Sequence, residues 1–174
     1  PFDARLSIGS LGKFYRRSRE SFPGTPYLKA DPVPKGKKFR VGISWTGGMK
    51  SNRVQKRTVP LSWWESILNV SDVEFVSLQY TDCKEEVDLV NALGYDIKQP
   101  QEIYTDDYYD TARIVQSCDL VISVCTSVVH LAGALGVPCW TMVPKFPAWR
   151  YQSEGPMPFY RSVRLYRQPE PEAW

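Results

Sequence analysis

The sequence contains a single histidine, His130, and lacks any apolar run near the roughly 20 residues that a membrane-spanning helix needs. One histidine excludes a metal site built from several histidines, and neither a D-x-D nor an H-E-x-x-H motif is present. No charged and then apolar leader follows Pro1, so no signal peptide is predicted. We therefore expect a cytoplasmic protein that is not transmembrane and needs no metal.

Cysteine is also scarce, and no C-x-x-C pair occurs among Cys83, Cys118, Cys125 and Cys139. Most of them lie in or beside apolar runs, which favours buried free thiols in a reducing compartment over disulfides or a zinc site. The excess of positive charge is small, since 22 basic and 19 acidic residues give a formal net charge of +3. This balance is too mild to indicate a nucleic-acid partner.

What the sequence does contain is a regular alternation of strand and helix patterns, in a chain of 174 residues that is 43% apolar. Such a pattern is typical of βαβ units in a parallel sheet. Strands are predicted over residues 40–45, 74–79, 95–98, 120–124 and 139–143, with a further strand-like run over 162–166. Helices are predicted over residues 60–70, 83–93, 107–118 and 127–135. The expected fold class is α/β, a Rossmann-like parallel sheet with helices on both faces.

The helix ends carry recognisable signals. Gly136 and Pro138 follow the fourth predicted helix and mark its end. Glycine accepts the left-handed conformation after a helix, and proline cannot continue one. Asp106, Asp107 and Asp110 stand at the start of the third predicted helix. N-capping and the helix dipole explain these carboxylates better than a metal site does.

The first predicted strand runs into a basic loop that contains two adjacent glycines. The loop residues that matter are Gly47, Gly48, Lys50, Lys56 and Arg57. Glycines let the backbone approach a ligand closely and the cations favour an anion, although the spacing fits neither G-x-G-x-x-G nor the P-loop. A mobile surface loop is the alternative interpretation.

The fourth predicted strand runs directly into Thr126 and Ser127, where a helix begins. Free backbone N–H groups and the helix dipole favour a phosphate at this point. His130 lies about one turn further on and can project toward the same end, although a lone histidine on an apolar helix is more often a packing residue. Two anion sites at adjacent strand ends indicate a ligand with a diphosphate, and a nucleotide-sugar fits.

Four stretches resemble the C-terminal, donor-binding half of a GT-B glycosyltransferase. They are "PYLKADP", "VGISWTGG…R…PLSWWESIL", "CDLVISVCTSVVHLAGALGVPCWTMVP" and "WRY…FYRSVRLYRQ", of which the third is the specific one. The resemblance is to glycosyltransferase family nine, the ADP-heptose heptosyltransferase group, especially members attached to tetratricopeptide repeats. It is more distant to the O-linked N-acetylglucosamine transferases.

The resemblance implies one half of a GT-B fold in three parts. Residues 1–38 would be the tail of a missing N-terminal domain and a linker, 39–144 the Rossmann-like nucleotide-sugar-binding domain, and 145–174 an aromatic-rich extension packed on it. The acceptor-binding domain, which would hold the general base, would lie upstream of Pro1 and would be a partner of this chain.

Site residues follow from the resemblance by position. Arg57 would stabilise the leaving-group phosphate, which would let the enzyme work without a metal or other cofactor. The remaining positions would bind the donor, with Gln79 and Tyr104 near the ribose and base, and they are Thr46, Gly47, Gly48, Gln79, Tyr104, Thr126, Ser127 and His130. Cys125 departs from the heptosyltransferase pattern, which has Asp there.

Two functions remain open. The first is the nucleotide-diphosphate-sugar-binding half of a metal-independent inverting glycosyltransferase, which would be inactive as this chain alone. The alternative is a non-catalytic GT-B-like module for nucleotide binding or protein interaction, which Cys125 favours. A receiver-type domain is weaker, because the fourth strand ends in Cys125 and Thr126 and not in Asp. Trp149 and Tyr151 could stack on a base, but packing onto the sheet is the favoured interpretation.

Overall fold

A computed structural model describes residues 5–47, 57–171 and 173–174 of the chain. Its centre is a six-stranded, all-parallel sheet with the strand order β3-β2-β1-β4-β5-β6. The strands are β1 (Phe39–Ser44), β2 (Val73–Ser77), β3 (Ile97–Lys98), β4 (Leu120–Val124), β5 (Cys139–Val143) and β6 (Val163–Arg167). The order reverses between β1 and β4, as it does in a Rossmann-like sheet. The predicted fold class is confirmed.

Helices cover both faces of the sheet. The described α-helices are α1 (Gly12–Tyr15), α2 (Glu65–Leu68), α3 (Lys84–Ala92), α4 (Tyr108–Gln116) and α5 (Ser127–Leu135). One core joins α4 and α5 to the sheet through residues such as Val121, and a second core joins α2 and α3 through residues such as Ile122. Because successive side chains of β4 point to opposite faces and both faces are covered, every residue of this strand is apolar except the buried Ser123.

The segment from β4 to β5 has the bounds that the sequence predicts. Thr126 caps the start of α5, and its hydroxyl accepts a bond from the Val128 N–H at 3.2 Å. At the other end, Gly136 has φ +79° and its N–H bonds back to the helix. A side chain is strained in that conformation, so glycine is the residue that ends α5 there.

The helix predicted over residues 60–70 is wrong as a continuous element. The structure has a 3₁₀ turn over Leu61–Trp63 and then the one-turn helix α2. Trp64 separates the two, with ψ of 8°, and its buried indole N–H donates to the Val59 carbonyl at 3.2 Å. Burial of Trp64 in the core shared with α2 and α3 outweighs the helical pattern at this position.

The other sequence-based expectations concern single residues. All four cysteines are free and buried, as predicted. Asp107 caps α4 and accepts a bond from the Tyr109 N–H at 2.8 Å, which confirms the capping interpretation. Within the described ranges, no group of three or more histidines, cysteines or carboxylates is placed to hold a metal ion. None of the helices in those ranges is long and apolar enough to cross a membrane.

The segments before β1 and after β5 both pack against this framework. The Tyr27 and Leu28 N–H groups donate to the Ala134 carbonyl at 2.9 and 3.0 Å, which lays the N-terminal segment along α5. The C-terminal segment supplies β6, which pairs with β5 as the sixth strand. The strand-like run predicted over residues 162–166 is therefore a strand of the main sheet.

Candidate functional site

The two loops singled out in the sequence meet at the point where the strand order reverses. Gly47 follows β1 and Thr126 follows β4, and these strands are neighbours in the sheet. A Cβ atom added to Gly47 would lie 2.7 Å from the Thr126 Cγ2 and 3.1 Å from the Cys125 carbonyl oxygen. A side chain at position 47 would therefore force its neighbours to shift, and the two predicted anion-binding elements lie side by side at this edge of the sheet. Gly48, Lys50 and Lys56 lie outside the described residues.

Thr126 and Ser127 have different roles at this end of α5. The Thr126 side chain is buried, caps the helix and lies 3.2 Å from the Ser123 hydroxyl. The Ser127 side chain is exposed, and its hydroxyl interacts with that of Tyr108, whose pKa is raised by burial and lowered in part by Ser127. Of the two predicted phosphate contacts, Ser127 faces solvent and Thr126 shapes the turn.

Gln79 follows β2 and holds the loop after β1 from beside it. Its side chain is 1% exposed. Its Oε1 accepts from the Thr46 N–H at 3.2 Å, and its Nε2 donates to the Thr46 carbonyl at 3.0 Å and to the Thr81 hydroxyl at 2.9 Å. The amide predicted to contact a ribose is occupied by these internal bonds, so Gln79 positions Thr46.

Glu86 of α3 anchors the same loop from outside the sheet. Its carboxylate accepts from the Trp45 indole N–H at 2.7 Å and from the Leu61 N–H at 3.1 Å. The Val59 N–H donates to the Trp45 carbonyl at 3.0 Å, so both ends of the loop are tied down. Arg57 is half-buried in this loop. Sequence reasoning missed Glu86, because nothing in its local pattern distinguishes it from other helix carboxylates.

Arg57 lies near the end of β4. Burial raises the pKa of Cys125 to about 12, and the positive charges of Arg57, Arg150 and Arg167 oppose that rise. Cys125 is 4% exposed, and its Sγ donates to the Met142 carbonyl at 3.6 Å. The thiol is therefore neutral at pH 7, and it stands directly before Thr126 in a positively charged environment.

His130 of α5 packs against aromatic residues of the C-terminal segment. Its Nε2 is 3.4 Å from the Tyr151 hydroxyl, and its ring centroid is 5.8 Å from those of Tyr151 and Tyr160. Burial lowers the pKa of His130, and the charge of Arg150 lowers it further. The imidazole is therefore neutral at pH 7. The packing interpretation describes its contacts, and its predicted place near a pyrophosphate stays a prediction.

Tyrosines surround the ends of β2 and β3. The Tyr104 side chain is 41% exposed, and its hydroxyl lies 3.6 Å from the Cys83 Sγ. Burial raises the pKa of Tyr104, so the phenol stays protonated. Tyr80 and Tyr108 are exposed in the same part of the fold. Tyrosine rings offer apolar surface to a base, and the sequence analysis missed these two.

The loop after β5 contributes a further set of residues that the sequence analysis missed as a group. Tyr151 is 1% exposed, which confirms packing over base stacking for this residue, whereas Trp149 is 78% exposed. Arg150 stands between them in a 3₁₀ turn over Trp149–Tyr151. The signal that could have found them is the rule that loops at the carboxyl ends of parallel strands hold ligands.

The arrangement as a whole suits an anion. Arg57 and Arg150 carry positive charge, and the amino end of α5 carries the positive end of a helix dipole. Glu86, the carboxylate that ties the two ends of the β1 loop, is engaged by the Trp45 and Leu61 N–H groups. The site can thus stabilise negative charge with protein groups alone.

Comparison with known proteins shows a relative that aligns with nearly the whole chain. The chain is similar to "Protein FlbA" of Caulobacter vibrioides, with 32% identity over 187 aligned positions that include 99% of this chain and 31% of FlbA. The chain therefore spans less than a third of the length of that relative. No family model matches the chain.

Proposed function

We propose that this chain is the donor-binding half of a metal-independent inverting glycosyltransferase and that it binds a nucleoside-diphosphate sugar. The observation that carries the proposal is the contact between Gly47 and Thr126 at the reversal of strand order. In open α/β sheets, ligands bind in the crevice at this point, beyond the carboxyl ends of the strands. The cations and the helix end there suit phosphate, and the nearby tyrosines suit a base.

The proposed mechanism gives Arg57 the main catalytic role in this chain. When the bond between sugar and diphosphate breaks, negative charge develops on the leaving phosphate. A guanidinium and the N–H groups at the start of α5 would stabilise that charge, which is the role a metal ion plays in other enzymes. The general base that activates the acceptor would come from another domain.

The proposal places that acceptor-binding domain in another part of a longer protein. FlbA is long enough to contain additional domains, because this chain spans 31% of it. In its more specific form, the proposal adds that the longer protein contains tetratricopeptide repeats and that the sugar of the donor is a heptose. Four free thiols are suited to the reducing cytoplasm.

A screen of nucleotide binding tests the proposal. We would measure thermal shifts and calorimetric affinities with ADP-, UDP- and GDP-sugars and with the free nucleotides, with and without magnesium. We expect one nucleoside diphosphate to bind independently of magnesium. Arg57→Ala should weaken that binding by about 10- to 100-fold, because a charge-assisted contact contributes about 1.5–3 kcal/mol. Binding that requires magnesium, or an unchanged affinity in the variant, would contradict the proposal.

The second candidate is a non-catalytic nucleotide-binding or protein-interaction module. Cys125 favours it, because a buried and neutral thiol stands where the resembling enzymes have a carboxylate for the sugar hydroxyls. The two candidates differ in what the sugar contributes. A donor-binding domain should bind the nucleotide-sugar more tightly than the free nucleoside diphosphate, whereas a nucleotide-binding module should bind both equally.

A further inference from the structure

The loop after β5 places an arginine beside His130. Tyr151 is buried, and its hydroxyl is 3.4 Å from the His130 Nε2. Arg150 lies over the same tyrosine, with its Cζ 5.7 Å from the ring centroid. The charge of Arg150 also acts on His130. This part of the C-terminal segment therefore adds a cation at the amino half of α5.

Arg167 of β6 fixes this loop in place. Its Nη1 donates to the Gln152 carbonyl at 2.8 Å, and its Nη2 donates to the Tyr151 and Gly155 carbonyls at 2.8 and 2.9 Å. The guanidinium of Arg167 is thus occupied by backbone oxygens. In the described part of the chain, Arg150 forms no ion pair and no bond to a backbone carbonyl.

Arg150 and Arg57 approach the end of β4 from two sides. Strands β1 and β5 are the two neighbours of β4 in the sheet, and each is followed by a loop that carries one of these arginines. The charges of Arg57, Arg150 and Arg167 all act on Cys125, the last residue before the cap of α5, and of these Arg167 is occupied by backbone carbonyls. An anion at the amino end of α5 would therefore be attracted by the charges of both Arg57 and Arg150.

We propose that Arg150 is an anion-binding residue that acts with Arg57 to hold phosphate oxygens of a nucleotide at the end of β4. This inference rests on the proposed function and adds the loop after β5 to the site. A planar guanidinium suits phosphate, because it presents several N–H donors in a fixed geometry. Arg167 acts through the backbone, and it is a positioning residue for Arg150.

The chain contains a matched control for Arg150. Arg164 also lies over a tyrosine, with its Cζ 5.1 Å from the Tyr166 ring centroid. It is exposed and lies toward the amino end of β6, away from the proposed site. Arg150→Met and Arg164→Met therefore each remove one stacked arginine charge. Arg150→Lys keeps the charge and changes the geometry.

The test is calorimetric titration of the wild type, these three variants and Arg57→Ala with inorganic pyrophosphate and with the nucleoside diphosphates. We expect Arg150→Met to weaken pyrophosphate binding at least tenfold, and Arg150→Lys to recover part of the loss. Arg164→Met should stay within twofold of the wild type. Unfolding curves check that each variant is folded.

The single histidine provides a second readout that does not depend on affinity. The groups that face His130 are the rings of Tyr151 and Tyr160 and the charge of Arg150. In NMR titrations, Arg150→Met should raise the pKa of His130 in the free protein. Pyrophosphate should raise the pKa of His130 in the wild type, because a bound anion offsets the charge of Arg150.

The outcomes separate this inference from the proposed function. If pyrophosphate binding depends on Arg57 but is unchanged in Arg150→Met, the inference is wrong and the proposed function stands. If Arg150 is needed but nucleoside diphosphates bind no better than pyrophosphate, Arg150 is an anion-binding residue but the proposed function is wrong. If the wild type binds neither ligand, both are wrong.

Discussion

The two ends of the sheet use arginine differently. At the amino end, Arg40 of β1 is 8% exposed and its Nε donates to the Glu74 carboxylate at 2.6 Å. Its Nη1 donates to the Ser117 hydroxyl at 2.8 Å. At the carboxyl end, neither Arg150 nor Arg167 forms an ion pair within the described ranges.

This difference separates stability from function. A buried cation that meets a carboxylate within the fold is compensated, and removing either partner leaves a costly group behind. A cation without such a partner keeps its electrostatic potential for a ligand. Arg40 therefore contributes to stability, whereas the charge of Arg150 is available to an anion at the carboxyl end.

The largest expected effect comes from breaking the compensated end. Arg40→Met should lower the free energy of unfolding by about 3 kcal/mol, because the Glu74 carboxylate is left without its cation. Urea unfolding measures the loss, and Arg164→Met is the matched exposed control, expected within about 0.5 kcal/mol. Equal losses in Arg40→Met and Arg150→Met would remove the distinction between the two ends.

A smaller effect is expected from Gln79, an uncharged side chain that holds the loop after β1 at the carboxyl end of the sheet. Gln79→Leu keeps a similar volume but leaves the Thr46 N–H and carbonyl without their partners. We expect a loss of about 2 kcal/mol in the free energy of unfolding, since an unsatisfied buried polar group costs about 1–3 kcal/mol.

Gln101→Leu is the control for that prediction, because Gln101 is exposed at the start of a 3₁₀ turn. It should change stability by less than about 0.5 kcal/mol. Gln79→Leu should also weaken nucleotide binding, because Thr46 loses its support. A variant with full stability and full affinity would show that Gln79 has no positioning role.

The sequence predicts the fold well where local signals agree. Strands β4 and β5 and helix α5 have the predicted bounds, because an apolar strand, a capping threonine and a terminal glycine follow one another. The prediction fails over residues 60–70, where the burial of Trp64 overrides a helical pattern. Local pattern is reliable for elements that carry their own start and stop signals.

The sequence also predicts only part of the candidate site. That Gly47 and Thr126 meet follows from the rule on parallel strand ends, applied to two strands that the sequence identifies. The supports of the site could not be predicted, because Gln79 and Glu86 act through contacts between distant segments. The rule on strand ends points to the loop that contains Arg150, but which of its side chains is buried and which is exposed depends on where Tyr151 packs.

The smallest expected effect is the pH dependence of stability that His130 causes at the carboxyl end of the sheet. Burial and the charge of Arg150 lower the pKa of His130 in the folded protein, whereas the unfolded chain binds that proton near pH 6.5. The unfolded state thus holds more protons below this pH, so stability is full above about pH 6.5 and falls as pH decreases through the folded pKa. We expect urea unfolding between pH 7.5 and 5.5 to show this decline in the wild type and a smaller one in His130→Gln. Arg150→Met should also reduce the decline, because it removes the cation that opposes protonation of His130. Equal slopes of stability against pH in all three proteins would mean that the charge of Arg150 does not act on His130.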